Sequence, residues 1–230
     1  MKCPRIALAV FAVLFLTGCL PWWDKSPRPN TPEALYTRGQ EEYRDGSYKK
    51  AVEFFRRLVE EYPLGELAIP AELGVADSYF SDGDYATAAL HYNDFMEFHP
   101  TNEHLPYVMY QIGLCHYKQI MEIDRDQTET RMAEQAFQRL LSRFPSSQFA
   151  VLGEEKLREC RRMLGEHEFY VGKFYFNIGE YRAALARFEI VQKQYPSLGM
   201  DYKTSHFIRE TKKRLAESEA KRETQMSDKG

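Results

Sequence analysis

The sequence predicts an all-α fold, a superhelix of antiparallel helix pairs, on two observations. First, six positions recur at fixed spacing. Counting from Gly39, residues Gly46, Tyr48, Ala51, Phe55 and Pro63 fall at offsets of 7, 9, 12, 16 and 24. The same offsets lead from Ala76 to Gly83, Tyr85, Ala88, Tyr92 and Pro100, and from Gly172 to Gly179, Tyr181, Ala184, Phe188 and Pro196. Second, a unit starting at Gly113 delivers Ala133, Phe137 and Pro145 eight residues late. The delay is uniform, so it is one insertion, between Tyr117 and Ala133. Such self-similarity marks stacked units that bury their apolar faces on each other. With 230 residues, 43% of them hydrophobic, the chain can bury a large core. A formal charge of -3 and a pI near 6.1 lack the basic excess of a nucleic-acid binder.

The chain begins with Lys2 and Arg5, then an apolar run from Ile6 to Leu16. That run falls short of the roughly 20 apolar residues needed to cross a bilayer, and reads as a secretory signal over residues 1–18. Leu16, Thr17, Gly18 and Cys19 look like a bacterial lipoprotein cleavage site, with Cys19 lipidated as the new N-terminus. The alternative is an ordinary signal peptide with an incidental cysteine. Acyl chains on Cys19 would hold the protein on a membrane rather than through it. Leu20 stands where an inner-membrane retention signal carries Asp, so resemblance to enterobacterial lipoproteins implies the outer membrane, periplasmic face. Cleavage removes Lys2 and Arg5 and moves the formal charge from -3 to -5.

Residues 19–31 form a proline-rich tether. Trp22 and Trp23 either rest at the membrane interface or pack back on the first unit. From Thr31, a helix cap followed by Pro32 and Glu33, the helical pattern begins. One helix reaches about Asp45, Gly46 makes the turn, and the second runs from near Ser47 to before Pro63. The helical domain is expected over residues 32–221, with units at about 32–65, 69–102, 106–147 and 149–198, a final helix at 201–221 and a disordered tail at 222–230. Gly39, Ala51, Ala76, Ala88, Gly113, Ala133, Gly172 and Ala184 stand where paired helices come close; Tyr48, Phe55, Tyr85, Tyr92, Phe137, Tyr181 and Phe188 fill the adjoining holes. This is the offset pattern of the tetratricopeptide repeat. Between Phe149 and Phe176 no proline occurs, so one long helix, straight or bent near Gly165, is expected.

No catalytic constellation is present. His91, His99, His104, His116, His167 and His206 form no HExxH or HxxxH pair, and neither a GxSxG serine nor a phosphate loop occurs. Asp124 and Asp126 lie in the polar insertion, where solvation keeps carboxylates ordinary. The protein is expected to be no enzyme and to hold no metal or cofactor. Cys115 and Cys160 are read as small buried hydrophobes rather than as a disulfide.

What remains is a surface. Stacked pairs curve, and the first helix of each lines a concave groove. The register places Tyr36, Gln40 and Tyr43, then Leu73, Asp77 and Phe80, then Tyr110, Leu114 and Tyr117 on it. Aromatic side chains with a few polar neighbours suit an extended, partly aromatic peptide. Several of these residues are expected to pack against the next unit instead. The insertion, polar from Met121 to Arg131, reads as an extended helix end or a projecting loop from which Arg125 and Gln127 make contacts, or as a solvated turn.

The central unit narrows the assignment. Pro106-Tyr107, Tyr110-Gln111, Gly113-Leu114, the insertion Asp124-Arg125-Asp126-Gln127, the run Ala133-Glu134-Gln135-Ala136-Phe137 and Arg143-Phe144-Pro145 resemble the BamD family, repeat lipoproteins of the outer-membrane β-barrel assembly machine. Cys160-Arg161, His167 to Gly172 and Phe174-Tyr175-Phe176 look like its fourth unit. The resemblance implies a periplasmic scaffold that docks on the periplasmic domains of BamA, beside other lipoproteins of the machine. It also implies receipt of unfolded outer-membrane proteins by their C-terminal signal. The N-terminal units would take substrate. Arg158, Arg161, Arg162, Tyr181 and Arg182, with Arg125 and Gln127, become partner-facing candidates. The family commonly carries a complete fifth helix pair, and here one helix is evident. The other reading is a repeat lipoprotein adaptor for a cell-wall enzyme or for pilus secretin assembly.

Overall fold

The computed structural model describes residues 30–227. The expected signal, Cys19, Trp22, Trp23 and all but the end of the tether lie outside the described residues. Within them the chain is helical and has no strand: α1 (Pro32–Arg44), α2 (Tyr48–Glu61), α3 (Ala68–Ser81), α4 (Tyr85–Phe98), α5 (Leu105–Tyr117), α6 (Thr128–Arg143), α7 (Gln148–Asn177), α8 (Tyr181–Gln194) and α9 (Asp201–Ser227). No helix among them is long and apolar enough to cross a membrane. Consecutive helices pack antiparallel as tetratricopeptide-repeat pairs.

Local chemistry fixes each boundary. Thr31 caps α1, its hydroxyl accepting from the Ala34 amide at 3.3 Å, with Pro32 at the first helical position. The turns after α1, α3 and α7 are built alike. Gly46, Gly83 and Gly179 take positive φ, and the amides of Ser47, Asp84 and Glu180 reach back to the carbonyls of Glu42, Tyr79 and Tyr175. This is the Schellman closure, for which glycine has no Cβ penalty. The second helices stop one residue before a proline, at Tyr62, His99, Phe144 and Tyr195, which the following ring forces out of helical geometry.

The recurrent small and large residues meet as expected. A Cβ on Gly39 would lie 2.5 Å from the Phe55 ring, one on Gly113 2.5 Å from Phe137, and one on Gly172 2.6 Å from Phe188. Gly74 of α3 touches the other side of Phe55, so that ring locks two units together.

Layering follows from these contacts. First helices touch across unit boundaries, α1 on α3 and α5 on α7, whereas the second helices α2, α4 and α6 make no comparable contact with each other. The first helices therefore form the inner layer, and shallow grooves open between the second helices outside.

Helix α7 is a single continuous element of 30 residues, about 45 Å long, and Gly165 does not interrupt it. That glycine instead admits the α8–α9 connection, since a Cβ there would lie 2.5 Å from Met200 and 3.1 Å from Tyr195. One expectation is corrected: the last helix does not end at 221 but continues through Ser227, so 222–227 are helical rather than a disordered tail. Of the readings open for the insertion, the structure shows a loop, exposed from Met121 to Asp126, rather than an extended helix end. Lys118–Gln127 form a loop pinned by His167, whose Nδ1 lies 2.6 Å from the Ile123 carbonyl.

Candidate functional site

Four of the nine groove residues come together. Tyr36, Gln40 and Tyr43 of α1 face Asp77 of α3 across a cleft of about 290 Å³, completed by Arg44, Phe55, Pro70 and Gly74. The small Gly74 leaves the floor open, and Phe55 closes its base. Tyr36 leans on Phe55 with ring centroids 5.7 Å apart. Tyr43 is held upright by an edge contact with Tyr48 and a 2.8 Å hydrogen bond with Ser81.

Asp77 is the electrostatic centre of this wall. One carboxylate oxygen accepts the hydroxyls of Tyr92 and, at 2.6 Å, Tyr107. Gln111 then donates to the Tyr107 oxygen at 2.8 Å. Burial pushes the Asp77 carboxyl above its usual value, against the two hydroxyls that lower it. Burial also raises both phenols, reinforced by the carboxylate. The trio is a fixed polar rivet linking α3, α4 and α5.

The other five residues are engaged in packing. Leu73, expected on the groove, is corrected: it is buried with Ala76, Ala88 and Tyr92 in the core between α3, α4 and α5, because it sits on the α4 side of its helix. Phe80 makes an edge contact with Tyr85. In the third unit the groove positions are covered by α7: Tyr110 lies between Phe137 and Phe149, Leu114 joins the Phe137–Cys160 cluster, and Tyr117 donates to Glu159 beneath the ammonium of Lys156.

Among the partner-facing candidates, Arg125, Arg158, Arg162 and Arg182 are exposed. Arg162 pairs with Glu166 on its own helix, and Arg182 pairs with Glu219 of α9 at 2.6 Å. Arg161 ties α7 to α8 by donating to the Gln194 carbonyl at 2.7 Å, and Tyr181 is half-buried against Phe176. Gln127 is corrected: only 2% exposed, it cannot contact a partner. Its amide donates to the carbonyls of Glu122 and Arg125 and its oxygen accepts from Thr130, which makes it the internal clamp of the insertion loop. Cys115 and Cys160 are buried free thiols. No group of three or more potential metal ligands occurs among the described residues.

Residues 28–226 match the model of the YfiO family, described as outer membrane lipoprotein. The chain belongs to this family. Among curated relatives, the Caulobacter vibrioides outer membrane protein assembly factor BamD is 25% identical over 197 residues, covering 83% of this chain and 65% of that protein. The Rickettsia prowazekii BamD is 29% identical over 196 residues, covering 85% and 78%. The chain thus spans just under two thirds of the length of the first and more than three quarters of the second. Among solved structures, the TPR2AB domain of yeast Sti1 in its pHSP90 complex is 16% identical, with a TM-score of 0.46 over 80% of this chain and 70% of that one. The family is one of non-enzymatic assembly factors.

Proposed function

We propose that this chain is a lipid-anchored periplasmic scaffold that docks on BamA and receives unfolded outer-membrane proteins through their C-terminal segment. The observation that carries the reading is the α1–α3 cleft, because in this family member it pairs accessible Tyr36 and Tyr43 with Arg44 at one edge. A segment ending in an aromatic residue would lay its ring between the two tyrosines and its terminal carboxylate toward Arg44. The exposed arginines Arg125, Arg158, Arg162 and Arg182 are the candidates for BamA and for neighbouring lipoproteins. Cys19 would anchor the assembly to the outer membrane.

The test is binding of a peptide with a C-terminal aromatic residue to the double substitution Tyr36→Ala with Tyr43→Ala, beside its melting temperature. Loss of binding with little change in melting supports the cleft; equal losses assign the two rings to packing. In cells, purification through the lipidated protein should recover BamA. Recovery of a secretin or a peptidoglycan synthase without BamA overturns the scaffold reading.

A further inference from the structure

The outer face carries a groove of different chemistry. It lies between the second helices α4 and α6, over α5, with a volume of about 400 Å³. Its floor is Met96, Met109, Ile112 and Ala136, and its charged lining residues are Arg139 and Arg143 alone. Arg139 has no ion-pair or hydrogen-bond partner among the described residues. Arg143 donates to the Pro100 carbonyl at 2.7 Å and covers the Phe144 ring, so no carboxylate neutralises it either. The neighbouring groove between α2 and α4 is the internal control. Glu60, Glu72 and Asp94 there outnumber Arg56, and His99 lies 2.6 Å from Glu72. The α4–α6 groove, by contrast, sets uncompensated positive charge around an apolar floor in a chain of formal charge -3.

We propose that the α4–α6 groove is a docking site for an acidic amphipathic segment of a partner protein. Arg139 and Arg143 stand four residues apart on one helix, about 6 Å from each other, which matches carboxylates spaced three or four apart on a docked helix. The apolar face of that helix would enter between the two thioethers, whose flexible chains adapt to different side chains. Ser142 and Asn93 supply neutral hydrogen-bonding groups on the rim. The groove faces away from the α1–α3 cleft, so both sites can be filled at once, and the proposal stands whether or not the cleft binds substrate.

The experiment selects peptides of about 16 residues from a random displayed library on the full chain, then measures the affinity of the selected sequences. A photo-crosslinking residue at Ser142 locates them. The expected result is enrichment of net-negative sequences with helical apolar spacing, crosslinking at Ser142, and about tenfold weaker binding to Arg139→Glu. Arg139→Lys should retain most of the affinity, and melting temperatures should be unchanged, since Arg139 is exposed. Replacing the peptide carboxylates with lysines should restore binding to Arg139→Glu. Enrichment of neutral or basic sequences overturns the proposal, as does binding indifferent to Arg139. So does Arg139-dependent binding to phosphatidylglycerol vesicles with no peptide enriched, which would make the groove a lipid site.

Discussion

Gly113 and Phe137 approach so closely that a methyl group on the glycine would fall 2.5 Å from the ring. The ring is fully buried and cannot swing aside. In an open helix, Gly→Ala stabilises by about 1 kcal/mol through propensity. Here overpacking dominates, and Gly113→Ala should lose about 1–3 kcal/mol in urea denaturation. Combining it with Phe137→Leu should recover part of that loss, because the smaller side chain vacates the contact.

Asp77 gives a pH prediction whose sign follows from its raised carboxyl. The unfolded chain ionises first, above about pH 4, so ionisation of Asp77 lowers stability as pH rises from there to the folded value. Asp77→Asn keeps an acceptor for the two tyrosines and should flatten this part of the stability profile. Asp77→Ala strands two buried hydroxyls and should cost about 1–3 kcal/mol for each. Identical pH profiles for Asp77→Asn and the parent chain would rule out this carboxylate as the source.

The thiols of Cys115 and Cys160 are pushed up to about 12 by burial. At pH 8 a disulfide reagent should leave both untouched in the folded protein and label both in denaturant. Rapid labelling of the folded chain would show that the α5 and α7 seams open readily.

Gln127→Ala removes the clamp of the insertion loop. Because its donors and acceptor are buried, the cost should be about 1–3 kcal/mol. Amide exchange should accelerate across residues 118–127, and peptide binding at the distant α1–α3 cleft should be unchanged.

Much of this architecture was legible from spacing alone. Positions such as Gly39, Gly46 and Phe55 each answer a local demand: close approach, positive φ, a hole to fill. What escaped the sequence depended on where a helix face points. Leu73 lies one turn from Asp77 yet faces the next helix, and register arguments cannot separate two such neighbours without the packing angle. Gln127 sits in a run of exposed charge, and its burial becomes visible only once the loop closes around it. The helical 222–227 segment has no apolar period to announce it. The α4–α6 groove escaped the sequence because it opens only where the crossing of three consecutive helices leaves Met96, Met109 and Ile112 as a floor beside Arg139 and Arg143.

The unbroken course of α7 bears on how force travels. In an array where each unit owns both of its helices, neighbours can part at their boundary and the stack flexes there. Here the N-terminal half of α7 covers the third unit through Phe149 and Cys160, while its other half seats Phe188 against Gly172. A displacement of the C-terminal helices is therefore delivered to α5 and α6 as by a rigid lever. The third and fourth units thus share one continuous element, and they cannot part without breaking α7 itself.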